Sequence, residues 1–221
     1  MRALTFHVTA VLLALVLAAC TAPPKSVHPL APADGTKGDD RLLGAWYATG
    51  NDPDEIIVIT IDKGEGSAEY AVFALIANGT KTGEPVAWVR GTAHASILDG
   101  APYYNLRITE NADDGPGTVA PPYIIMRAQA GSDGALSLQF MSERLVERLG
   151  EEGRIPARPV KGGYAGEEAE YMLLDMPPAD LAAFIREETP ERLFTLGFGP
   201  LRRLAPNAEG AEIKDSGGGA P

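Results

Sequence analysis

The 221-residue chain contains one cysteine, Cys20, and three histidines. A single cysteine leaves no intramolecular disulfide, so the fold must stand on its apolar core. Thiol redox pairs and cysteine-ligated metals are excluded with it. His94 is the only histidine between Leu42 and Pro206, so no two-histidine metal site can be built in that body. Basic residues are also scarce: 19 Lys and Arg stand against 30 Asp and Glu, for a formal charge of −11. That excludes the basic face that nucleic acid requires. No apolar run approaches the ~20 residues of a comfortable membrane-spanning helix.

What is present begins at the N-terminus. Arg2 is followed by the uncharged stretch "VTAVLLALVLAA", Val8 to Ala19, which has the length and small-residue ending of a secretory signal. Leu17-Ala18-Ala19-Cys20 then resembles the lipobox of bacterial lipoproteins. The resemblance implies cleavage before Cys20, diacylglycerol on its sulfur and an acyl chain such as palmitate on its amine. Removing residues 1–19 costs one charged residue, Arg2, and takes the formal charge from −11 to −12. Each buried methylene contributes about 0.8 kcal/mol, so two or three chains anchor the protein to the membrane. Thr21 follows Cys20, where the retention signal of enteric bacteria is aspartate. The expected location is therefore the outer membrane, facing the periplasm.

Composition divides the remainder. Residues 20–41 are rich in proline and polar side chains and read as the lipidated cysteine followed by a disordered tether. Residues 42–206 form the domain, and 207–221 read as a disordered tail. Within the domain the dominant period is two. Leu136, Leu138 and Phe140 alternate with Ser137 and Gln139, and Tyr104, Leu106 and Ile108 oppose Tyr103, Asn105 and Arg107. Asn78-Gly79, Asp99-Gly100 and Asp133-Gly134 suit tight hairpins. The spacing predicts strands near 43–48, 55–62, 68–77, 84–98, 102–109, 121–130, 135–141 and 169–175, with another near 199–204. The fold class is mainly β, an antiparallel meander of eight or nine strands closing into a barrel, because closure removes exposed edges. Helices are expected near 142–150, capped by Ser142, and near 178–188, begun by prolines. Their apolar stripes, Leu145, Val146 and Leu149, and Leu181, Phe184 and Ile185, should pack on the barrel wall.

Gly44-Ala45-Trp46-Tyr47 resembles the first-strand G-x-W motif of lipocalins. That resemblance implies a lipocalin-like barrel whose tryptophan plugs the closed end against a C-terminal arginine, here Arg202 or Arg203. "LLGAWY", "GTAHASILDGAPYYNL", "PPADLAAFI" and "GPLRRL" also resemble, in layout, small bacterial β-barrel proteins without an assigned activity. Trp46, Tyr104 and Met126 are the candidate lining residues for a ligand. If Ala87, Val89, Gly91, Ala93, Ala95 and Ile97 point inward, most are small and leave room for one. Trp88, Arg90 and His94 then face outward, and Trp88 with Tyr103 forms a candidate interaction patch.

Catalytic candidates are absent. No G-x-S-x-G elbow occurs, His94 has no readable partner, and the acidic stretches 50–55 and 110–117 lack the ligand ladder of a calcium loop. No enzyme activity, cofactor or metal is expected. Two functions remain: a structural or protein-interaction module of the envelope, or a carrier of a small apolar or amphipathic ligand. The expected partners are the membrane through Cys20, an envelope protein or such a ligand.

Overall fold

The computed structural model describes residues 23–32, 36–49, 55–65, 69–78, 85–111, 122–161 and 170–204. Leu17, Ala18, Ala19 and Cys20, and the expected tail 207–221, lie outside the described residues. In chain order the strands are β1 (Lys25–Ser26), β2 (Gly44–Thr49), β3 (Glu55–Lys63), β4 (Glu69–Asn78), β5 (Pro85–Leu98), β6 (Ala101–Asn111), β7 (Tyr123–Ala130), β8 (Leu136–Phe140), β9 (Ala157–Lys161), β10 (Glu170–Leu174) and β11 (Leu196–Arg203). The helices are α1 (Glu143–Glu151), α2 (Pro178–Glu188) and α3 (Pro190–Leu193), and a 3-10 turn at Asp40–Leu42 precedes β2.

Eight of these strands close an antiparallel barrel. Sequential hairpins join β2 through β8, β11 pairs with both β8 and β2, and β6 pairs with β7 to keep the wall continuous. The alternation of β8 determines its facing: Leu136, Leu138 and Phe140 are buried inside, and Ser137 is exposed. Ile57, Ile59 and Ile61 of β3 point inward by the same period, although their neighbours Ile56 and Val58 are also apolar. The β5–β6 turn runs through Asp99 and Gly100, both at positive φ (51° and 81°). Two such residues in succession match the right-handed twist of the flanking strands, and Asp-Gly is a favoured pair there.

β7 is the branch point. Its Met126–Ala130 half pairs with β8, whereas Tyr123 and Ile124 on the same edge pair with Ser26 and Lys25 of β1. β10 then pairs parallel to β1, and β9 pairs antiparallel to β10. The strand expected at 169–175 is thus a stave of this side sheet, and the one near 199–204 is the stave that closes the barrel.

The helices cover the outer face where β6 and β7 meet. Ser142 caps α1 by accepting from the Leu145 amide, and the expected stripes of α1 and α2 are buried. They form a second core with Tyr103, Ile125, Met172, Leu174 and Phe194. Glu188, only 3% exposed, ties this layer together through Arg154 at 2.9 Å and Arg192 at 2.8 Å.

The tether reading of residues 20–41 does not hold where the chain is described. Pro23 to Ser26 and Leu30 are buried, and Val27 donates its amide to Leu174 O at 2.9 Å. Two strand residues carry no periodicity, so composition alone suggested disorder. Among the described residues the folded body already includes Pro23, ahead of Leu42. A chain starting at Thr21 should therefore be more stable than one starting at Leu42 by at least about 3 kcal/mol, from buried apolar area and backbone hydrogen bonds. Urea titrations of the two chains measure the difference.

Candidate functional site

The expected lining residues do meet inside the barrel. Trp46 and Tyr104 are 1% exposed and Met126 7%. Tyr104 stands opposite Met126 across the β6–β7 pair, and its ring meets Tyr70 edge-on at 5.9 Å. Ile57, Ile59, Ala95, Leu136 and Leu201 belong to the same cluster, none more than 3% exposed. Side chains this inaccessible touch almost no water-sized space, so this part of the interior is filled. Ala93 and Ala95 point inward beside Gly91 as the small-residue face requires, but large side chains from facing strands occupy the room. Ile97 instead lies 51% exposed, next to the turn at Asp99.

One end of the barrel is closed by the chain entering β2. Gly38 lies so near the Tyr70 hydroxyl that a side chain there would collide with it. The Asp39 amide donates to Tyr104 Oη at 3.3 Å, and Trp46 Nε1 donates to Leu42 O at 2.8 Å. Arg203 completes the closure. Its guanidinium carbon lies 4.4 Å from the centre of the Trp46 ring, and its two terminal nitrogens donate to Leu43 O and Arg41 O, both at 2.7 Å. Gly44, at φ 128°, makes this possible, since a Cβ there would stand 2.6 Å from Arg203 Nη1. Of the two arginines offered by the sequence, Arg203 is the partner of Trp46. A flat fork that stacks on a ring and serves two carbonyls has no lysine equivalent. Arg203→Lys should therefore lose most of the roughly 1–3 kcal/mol that Arg203→Ala loses. Chemical denaturation of both variants checks this.

A second polar cluster lies on the outer wall, where sequence reasoning placed only a surface histidine. His94 faces outward as expected, yet is 8% exposed, because residues 23–31 cross over it. Its Nε2 donates to Ala31 O at 2.9 Å. Asn105, fully buried, accepts from the Leu30 amide at 2.6 Å and donates to Ser96 Oγ at 2.7 Å and His94 O at 3.2 Å. These three side chains latch the N-terminal segment as a strap. Asn105, Ser96 and Lys25 were missed, since an outward polar residue on a strand reads as solvated unless something covers it.

Lys25 is the least ordinary ionisable group. It is 4% exposed, its ammonium lies 3.8 Å from the centre of the Tyr171 ring, and burial pushes its pKa down to about 8 from 10.5. Between those values the unfolded chain binds more protons than the folded one, so stability rises with pH. Burial acts oppositely on tyrosines and pushes Tyr70 up to about 12 from 10.0. Above pH 10 the unfolded chain loses tyrosine protons first, and stability falls. Thermal melts should show stability increasing from pH 8 toward 10, and Lys25→Met should abolish the increase.

The candidate interaction patch is not one surface. Tyr103 is 1% exposed and packs on Phe194, ring centres 5.4 Å apart, because α3 and the helix layer cover this wall. Trp88 is half-buried with its ring 6.2 Å from Phe73. A groove of about 540 Å³ opens where the β7–β8 turn meets β11, lined by Asp133, Gly134, Ala135, Pro200, Arg202 and Arg203. It contains none of the expected lining residues. Among the described residues no group of three or more His, Cys, Asp or Glu is placed to hold a metal ion, and no helix is long and apolar enough to cross a membrane. Compared with known proteins, the chain matches no family model, no curated protein and no solved structure.

Proposed function

We propose that the chain is an envelope lipoprotein, anchored through Cys20 to the outer membrane and facing the periplasm, whose barrel is a non-catalytic structural or protein-interaction module. The observation that carries this reading is the packed interior, from Trp46 and Ile57 through Tyr104 to Leu136 and Leu201, each 1% exposed or less. A barrel filled by its own side chains uses its volume for stability, and recognition then falls to the outer surface. The lipobox Leu17-Ala18-Ala19-Cys20 supports the anchoring, and the formal charge, −12 once residues 1–19 and Arg2 with them are removed from the chain of −11, suits a soluble body held near the membrane by its lipid.

The second reading is a lipocalin-like carrier of a small apolar or amphipathic molecule. It is favoured by the Trp46–Arg203 closure, the arrangement that the lipocalin resemblance implies. Ala48, Val89 and Leu106 are only partly buried around the same core, and a ligand would complete their burial.

Native mass spectrometry of a soluble form, Thr21 to Pro221, separates the two. The module reading expects the bare mass, unchanged after incubation with envelope lipids, and recovery of a defined protein by crosslinking in the envelope. A reproducible extra mass that is lost on unfolding makes the chain a carrier.

A further inference from the structure

We infer that the groove beside the end of β11 binds a short peptide by its two free termini, with the carboxylate on Arg202 and the ammonium on Asp133. The site is separate from the packed interior and from Cys20, so it depends on neither reading of the barrel.

The groove arises from a mismatch in strand length. β8 begins at Leu136, opposite Leu201, whereas β11 runs two residues further, to Arg203. The β7–β8 turn lies alongside that extension but bonds to itself: Gly134 donates to Gly131 O at 3.1 Å, and Gly131 donates to Ala135 O at 2.7 Å. Pro200 stands at the register shift between Phe198 and Leu201 and has no amide to offer β8. The opening that results is about 540 Å³, within the range of small-ligand sites. A Cβ on Gly134 would meet nothing within 4 Å, so the space over the turn is open.

Three groups here are free to bind. The Leu204 amide donates to Ala45 O of β2, and Arg202 and Arg203 stand opposite Tyr47 and Trp46. By the alternation of an antiparallel pair, the Arg203 amide then points away from β2 and toward the groove. It meets no acceptor among the described residues. Arg202 is exposed and makes no ion pair among the described residues. Asp133, exposed on the facing turn, accepts from the Ala135 amide at 3.1 Å and likewise forms no ion pair there.

The mixed lining selects the ligand. A guanidinium beside a main-chain amide suits a carboxylate, and a carboxylate suits an ammonium. A simple anion would gain from Arg202 but meet Asp133, and a simple cation would have the reverse difficulty. A peptide with free termini satisfies both, and its own amides can pair with the Arg203 edge as an added strand does. Ala135 and Pro200 offer its side chains a small apolar wall.

The test uses the chain from Thr21 to Pro221, which retains every described residue, and trialanine as the probe. In nitrogen-15 spectra, millimolar trialanine should shift the amides of Gly134, Ala135 and Arg203. Its C-terminal amide and its N-acetyl form should each bind several-fold more weakly. Arg202→Gln should weaken trialanine several-fold and leave the C-terminal amide form as it was. Asp133→Asn should do the same for trialanine and leave the N-acetyl form as it was. Both side chains are exposed, so neither variant threatens the fold. No shift at these amides, or equal binding of the three peptides, overturns the inference. So does binding that emerges only in a chain ended at Leu204, because the groove then belongs to the protein's own C-terminal segment.

Discussion

The edge of β7 is the constraint on which the rest of the molecule depends. Backbone amides and carbonyls on a strand edge must find partners once they are buried, and β8 supplies them only from Met126 to Ala130. Beyond Phe140 the chain turns into α1, and the Tyr123–Ile124 end of that edge would be left open. β1 fills it, and a side sheet grows from β1. The inner face of β7 contributes Ile124, Met126 and Ala128 to the barrel core. Its outer face contributes Ile125 to the helical core. One strand thus joins two cores, and the N-terminal strap is the piece that makes its pairing complete.

Much of the barrel was legible because it obeys simple periodicities. The alternation in Leu136–Phe140, the Asp99-Gly100 turn and the apolar stripes of α1 and α2 each point to one local structure, and the tertiary fold agrees with all of them. Even the partner of Trp46 was narrowed to two adjacent arginines, because the resemblance of Gly44-Ala45-Trp46 to the lipocalin motif implies a C-terminal arginine against the ring. What escaped has a common physical cause. β1 is too short to show a period, and β9, with Pro159 in its middle, reads as loop. The direction of Tyr103 and His94 was readable from strand alternation, but what covers them comes from distant chain, α3 in one case and the strap in the other. Strand periodicity tells which way a side chain points. It does not tell whether that side is wet.

The same distinction bears on function. A small-residue face such as Gly91, Ala93 and Ala95 suggests space only when the opposite wall is ignored. Here the isoleucines of β3 and the rings of Trp46, Tyr70 and Tyr104 fill it. The closed end is likewise built by the chain's own groups, with Arg203 occupied by a ring and two carbonyls. The buried polar groups with the best-formed partners, Asn105 and His94, hold the strap. Polar investment of this kind is spent on fixing the N-terminal segment to the outer wall.

The central claim is that the segment from Pro23 to Ala31, with β1 at Lys25–Ser26, is an integral part of the fold. Native-state hydrogen exchange tests it most directly, read at the amides of Val27 and Leu30, which donate to Leu174 O and to Asn105 Oδ1. The account predicts protection at both comparable with that of the barrel amides of β7 and β8, since all would open only with global unfolding. Exchange of Val27 and Leu30 at the rate of an unstructured peptide, beside a protected barrel, would contradict it.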